Sequence, residues 1–354
     1  MTAEALWDRL AAEGLVAGTR PEPDAGASPW FVRAMLGVAG WIGAIFLLLF
    51  VGAGFAFVME NGAAALIVGA ACCGGAFLLL RAFDGQDFAE QFGLAVSLAG
   101  QAMIVVGLAD FLKPEQASFY LAVAATQTGL ALLVPQFLHR LLASAGAAVA
   151  LALAILQLEL HGLAAPLLCA GIATIWLEPR RWAGGGRLWR PIGYGLVLAL
   201  LLVETFRVAG ASEWFGLQRE APSWLARHGP LTGRGLTALI LLWVAFALAR
   251  RPGLAPTSRT GLAAAAAAFL VGLLSLGMPG LASALIVLLL GFAAGSRLLV
   301  AIGVLSLLGF VSHFYYSLHL TLLEKSGLLA LTGLVLLAAT LMLRRGRAEG
   351  PTDA

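Results

Sequence analysis

Apolar runs about 20 residues long, separated by short polar joints, repeat along the whole chain and leave it few ways to fold. They lie near 33–58, 62–80, 92–112, 117–134, 141–158, 162–177, 191–209, 231–249, 261–277, 280–295, 298–316 and 327–343. A hydrocarbon core about 30 Å thick is crossed by about 20 residues rising about 1.5 Å each. Lipid offers no partner to a free backbone N–H or C=O, so such runs must be helical. The pattern predicts an all-α fold, a polytopic transmembrane helix bundle of about twelve spans. Some runs are short or tightly joined, as at Glu60-Asn61-Gly62 and Met278-Pro279-Gly280, and such pairs read as hairpins that need not cross fully.

Composition points to the same solvent. Hydrophobic residues make up 60% and charged residues 12%, against about 45–50% and about 25% in soluble domains. So few charges do not cover a water-facing surface. The formal charge is +3 and the basic residues sit in short clusters between apolar runs, which excludes a nucleic-acid footprint. They are almost all arginine, and with abundant Ala, Gly and Leu this suggests a GC-rich bacterial source. Cys72, Cys73 and Cys169 lie inside apolar runs with no metal or disulfide spacing. The first 29 residues are acidic and Pro-rich, unlike a cleavable signal peptide, so the first apolar run is expected to act as a signal anchor.

Charge bias sets the orientation, because cytoplasmic segments keep excess Lys and Arg. With the N-terminus inside, the inner segments hold 16 of the 22 basic residues, among them Arg81, Arg140, Arg187, Arg190, Arg250 and Arg297. Both termini are therefore expected to be cytoplasmic, in a bacterial inner membrane. Trp182 and Trp189 at an inner loop, and Trp214 and Trp224 in the longest outer loop, suit interfacial anchoring. Residues 1–29 read as a short amphipathic helix over 3–13, with Leu6, Trp7 and Leu10 on one side and Gly14 as its stop, then a Pro-rich linker. Residues 30–343 form the membrane domain, and 344–354 a basic then polar tail.

Gly is 43 of 354 residues, and in lipid small residues let helices approach closely. Gly93, Gly100 and Gly107 recur every seventh residue and stay on one face of the third span, while Gly291 and Gly295 form a GxxxG pair in the tenth; both patterns predict helix packing. Ser97 and Gln101 lie beside the first of these faces, and Thr126, Gln127 and Thr128 at the centre of the next span. The two glutamines fall at similar depth, so they either clasp two helices or line a solute path near the midplane. Glu60, Asp110, Glu159, His161, Glu204, Arg207 and His228 prefer the outer third, and Glu204 and Arg207, three apart, are placed to neutralise each other. The stretch His313 to Ser326 (HFYYSLHLTLLEKS) carries His313, Ser317, Thr321 and Glu324 on one polar line, with His319 turned away from His313. This outer rim is a second candidate site.

No Walker loop, HExxH, GxSxG, zinc-type Cys pair or dinucleotide GxGxxG opening a βα unit is present. The expectation is a protein that is not an enzyme and uses no cofactor or metal. The order of WDRLAAEGLV, many tight spans, Gln91-Phe92-Gly93-Leu94-Ala95 running on through Ser97-Leu98-Ala99-Gly100-Gln101, and the late YYSLHLTLLEKSGLL resembles a bacterial membrane family called domain of unknown function 4401. The likeness runs along the whole chain. It implies a possible partner, a small membrane-anchored protein with a GDYxxLxY motif, and an extracytoplasmic complex with it; it implies no activity. Two function classes stay open: a permease or channel-like protein for a small solute or lipid, slightly favoured, and a non-transporting scaffold or sensor that holds a partner on its outer face.

Overall fold

A computed structural model of the protein describes residues 3–14, 16, 30–54, 60–83, 86–178, 184–210, 224–250 and 269–317. Among the described residues every regular element is helical. The short amphipathic helix α1 (Ala3–Ala12) ends at Gly14, whose φ of +69° suits a residue without a Cβ. Then come α2 (Trp30–Gly54), α3 (Gly62–Ala82), α4 (Asp87–Phe111), α5 (Ala117–Leu133), α6 (Phe137–Gln157), α7 (Ala164–Leu177), α8 (Gly186–Val208), α9 (Trp224–Ala249), α10 (Leu281–Ala293) and α11 (Arg297–Ser317), with a further helical stretch over 269–277.

Among the described residues, six helices are long and apolar enough to cross a membrane: α3, α4, α6, α8, the Arg227–Ala249 part of α9, and α11. Helices α5, α7 and α10 are apolar but shorter; α10, at 13 residues, rises only about 20 Å. The run at 327–343 lies outside the described residues, and that at 261–277 is described only from 269. Helix α4 begins five residues before the apolar run at 92. Asp87 and Glu90 occupy its first turn, where the partial positive charge of free N–H groups favours carboxylates.

The helices pack in two groups. Helix α4 lies against α3 and α2, while α6 packs on α5 and α8, and α7, α8, α9 and α10 enclose the main core around Cys169, Ile172, Leu200, Leu241, Ile286 and Leu290. Large apolar side chains also cover the outside: Met35, Ile67, Leu133 and Leu305 are each about 70% exposed, which is unfavourable in water and natural against lipid.

Glycine makes the first group possible. A Cβ on Gly100 would lie 2.7 Å from the Gly69 carbonyl oxygen, and one on Gly69 would lie 2.7 Å from the Gly100 oxygen. Gly107 meets the Gly62 carbonyl in the same way, and a Cβ on Gly93 would lie 3.0 Å from Leu80 Cγ. The heptad glycines therefore face α3 along a seam where two backbones touch. Gly291 is similarly close to Val300 and Leu299 of α11. Gly295 is different and corrects the packing expectation. Its φ is +64° with open space around it, and Ser296 N–H donates to the Gly291 carbonyl at 3.0 Å, so it terminates α10 in a left-handed turn instead of packing against a neighbour.

Contacts between helix ends sort them into two sides. One side, rich in arginine, gathers the end of α5, the start of α6, the start of α8 and the α10–α11 turn, where the Tyr194 and Ser296 hydroxyls are 2.9 Å apart. Arg140 holds much of it together. Pro135 and Pro191 lack an N–H, which leaves the carbonyls of Ala131 and Arg187, four residues earlier, without their helical donors. Arg140 Nε donates to Ala131 O at 3.2 Å and Nη1 to Arg187 O at 3.1 Å. At the opposite side, Asn61 Oδ1 accepts from Ala64 N–H and Asp110 Oδ2 from Gly62 N–H, both at 3.1 Å, so the start of α3 is capped by its own loop and by the end of α4.

Candidate functional site

Two buried polar clusters stand out, one on each side of the bundle. The first joins the two helix groups. His139, the third residue of α6, is fully buried, and Gln136 Oε1 accepts its backbone N–H at 2.5 Å. Its ring reaches α4, where Nε2 is 2.8 Å from Ser97 Oγ and 3.2 Å from Gln101 Nε2, while Gln101 Nε2 also donates to Ser97 Oγ at 3.3 Å. The other ring nitrogen, Nδ1, is buried with no partner.

The two glutamines do not clasp, contrary to the expectation from depth. Gln101 turns to His139 and Ser97, while Gln127 lies over Gly146 of α6, and its buried Oε1 has no partner. The two amides reach α6 at His139 and Gly146, seven residues and about 10 Å apart along its axis, so similar positions within their own apolar runs did not give them one depth. The hydroxyls of Thr126 and Thr128 donate to Ala122 O and Ala124 O of their own helix.

The second cluster lies at the side opposite the arginine-rich ends. Glu204 on α8 is 1% exposed. Its Oε2 is 2.5 Å from Arg207 Nη2, the pair foreseen from their spacing, and its Oε1 accepts from Ser283 of α10 at 2.7 Å. Ser283 in turn is 3.8 Å from the Cys169 thiol of α7. Arg234 of α9 donates through Nη1 to Leu276 O at 2.8 Å, at the end of the 269–277 helix. Glu204, Arg207, Arg234, Thr237, Ser275 and Ser283 line one half-open cleft with room for about one water molecule. The hydroxyl protons there are committed: Thr237 to Gly233 O, Ser275 to Gly272 O, Ser283 to Glu204. The buried Nε atoms of Arg207 and Arg234 have no partner.

The remaining rim residues do not converge on this cleft. Asp110 caps α3, Glu159 closes α6 at φ +58° with its carbonyl 3.0 Å from His161 Nδ1, and Glu60 and His313 are exposed. His228 stacks on Trp224 at 4.8 Å. His319 and Glu324 lie outside the described residues. Sequence reasoning missed His139, Arg234 and Ser283. A histidine three residues into an apolar helix after Pro135 was a usable signal for the first; the other two meet their partners only through the tertiary fold.

Helices of this length and apolarity, lipid-facing on the outside and carrying buried ionisable groups within, define a multi-pass helical membrane protein. The family described as Domain of unknown function (DUF4401) matches residues 29–346. The chain belongs to that family. No curated protein and no solved structure matches it.

Proposed function

We propose that the protein is a permease or channel-like protein of a bacterial inner membrane, with both termini cytoplasmic, which takes a small solute from its extracytoplasmic side. One observation carries this reading: Glu204, Arg207 and Arg234 converge on a cleft between helices of the lipid-facing bundle. Charges at such a position are costly to keep in lipid and tend to mark solute pathways. The side that holds the cleft is opposite the arginine-rich ends, which the charge bias of membrane insertion assigns to the cytoplasm.

The test is flux. Purified protein reconstituted into vesicles is assayed with a panel of small ions and neutral solutes, beside Arg234→Gln. Flux above that of protein-free vesicles, reduced in the variant, supports the reading. Folded protein that moves nothing, and instead retains a small membrane-anchored partner from its own cells, overturns it in favour of a scaffold.

A further inference from the structure

We propose that the arginine-rich end of the bundle carries a site for one anionic phospholipid, whose phosphate is held at the junction of α8 with the α10–α11 turn. The site needs a membrane around the protein and takes nothing else from the permease reading.

A step in the fold shapes it. Tyr194 lies eight residues beyond Gly186, the first residue of α8, or about 12 Å along the helix. There its ring meets Trp176, the penultimate residue of α7, edge-on at 5.2 Å, and its hydroxyl is 2.9 Å from the Ser296 hydroxyl between α10 and α11. A Cβ on Gly193 would likewise touch Trp176 and Ile175. The ends of α7 and α10 therefore stop level with the interior of α8 and leave its first turns standing beyond them. Helix length causes the step, since α7 has 14 residues and α10 has 13, against 23 in α8.

Arginines border this step. Arg187, Arg190 and Tyr194 share one face of α8 at spacings of three and four, and Arg297 follows Ser296 directly. The Tyr194–Ser296 contact thus brings Arg190 and Arg297 to one junction. Arg187, Arg190 and Arg297 are all exposed. Counted over the full sequence, the segment 178–190 has Arg180, Arg181, Arg187 and Arg190 against Glu178 alone, and 291–300 has Arg297 and no acid. A planar guanidinium matches a phosphate with paired hydrogen bonds.

Apolar surface beside the arginines separates a lipid from a soluble phosphate. Phe292 and Leu298, on either side of the α10–α11 turn, are 66% and 57% exposed. Phe137, at the start of α6, is exposed too, and its ring lies 6.2 Å from that of Tyr194. An acyl chain covers such side chains while its phosphate stays with the arginines; a nucleotide or sugar phosphate leaves them uncovered. Basic pockets between helices on the cytoplasmic side suit anionic headgroups for the same reason.

Delipidated full-length protein in a neutral detergent, melted while tryptophan fluorescence is followed, tests the site. Phosphatidylglycerol is titrated against phosphatidylcholine with the same acyl chains, and inorganic phosphate forms a third arm. Wild-type protein is expected to show a saturable rise in Tm with phosphatidylglycerol beyond that with phosphatidylcholine. The double variant Arg190→Gln with Arg297→Gln should fold as the wild type does, because both side chains are exposed, and should weaken the apparent phosphatidylglycerol affinity by roughly thirtyfold. Lysine at both positions should recover part of that loss, as a point charge in place of a fork. Arg227→Gln, at the opposite side of the bundle, should bind as the wild type does. The site is overturned if phosphatidylglycerol raises Tm no more than phosphatidylcholine. An equal rise in wild type and the double glutamine variant overturns it as well, since the lipid then acts through the whole surface. A full rise with inorganic phosphate alone overturns the lipid in favour of a soluble anion.

Discussion

Gly100→Ala is the smallest change that should damage the bundle. The added methyl would sit 2.7 Å from Gly69 O, 2.8 Å from Cys73 Sγ and 2.9 Å from Cys72 Cβ, about 0.7 Å inside ordinary contact with the first of these. The Cys73 thiol can rotate away, but the Gly69 carbonyl and the Cys72 Cβ are fixed to the backbone, so no rotamer change relieves the clash and α3 must back away from α4. Overpacking of this kind costs about 1–3 kcal/mol, while an exposed Gly→Ala change in a helix gains up to about 1 kcal/mol. Gly74→Ala, on the partner helix α3, supplies the control, since its Cβ would meet nothing within 4 Å. The two variants should shift the melting temperature in detergent in opposite directions, down by several degrees for Gly100→Ala and level or up for Gly74→Ala. A Gly100→Ala protein as stable as Gly74→Ala would show that the seam is open and the reasoning wrong.

His139→Leu should destabilise by about 1–3 kcal/mol because it strands Ser97 and Gln101 without their shared partner; adding Ser97→Ala should cost less than its single effect, read from the same melts. Gln101→Leu and Gln127→Leu should add to within about 0.5 kcal/mol, since the two amides do not meet, and a coupling above about 1 kcal/mol would place them in contact after all. For topology, alkaline phosphatase fused after Ala354 should be inactive and the enzyme inserted at Lys113-Pro114-Glu115 active; the opposite pattern would reverse the membrane orientation.

The helices were legible because lipid imposes a length and a composition on any segment that crosses it, and α3 through α11 fall close to the apolar runs. The glycine seam was legible for a related reason: a heptad spacing returns Gly93, Gly100 and Gly107 to one face whatever lies opposite. What the sequence did not carry is rotation about each helix axis. Nor did it carry the axial offset of one helix against another: Gln101 and Gln127 both fall mid-run, yet one meets α6 at His139 and the other at Gly146, about 10 Å further along. Spacing motifs fail in another way at Gly295, where GxxxG counts residues without knowing that the helix has stopped; Ser296 and Arg297 just beyond it begin a turn and the next helix. Arg234 and Ser283 belong to the cleft from positions 30 and 79 residues beyond Glu204, a separation no local pattern reports.

Arg140 couples two prolines that are 56 positions apart in the chain. Each proline alone creates a carbonyl with no donor, and one guanidinium answers both. The three residues should therefore change together over evolutionary time. A relative that replaces Pro191 regains an N–H for its own helix and is released from half of the need for arginine, whereas one that loses the arginine while retaining both prolines strands two carbonyls at one end of the bundle. Lysine is no substitute, since a single ammonium cannot reach two carbonyls that a planar fork spans. In an alignment of the family, covariation among positions 135, 140 and 191 would read as a contact map of this corner, drawn by hydrogen bonds that proline removed.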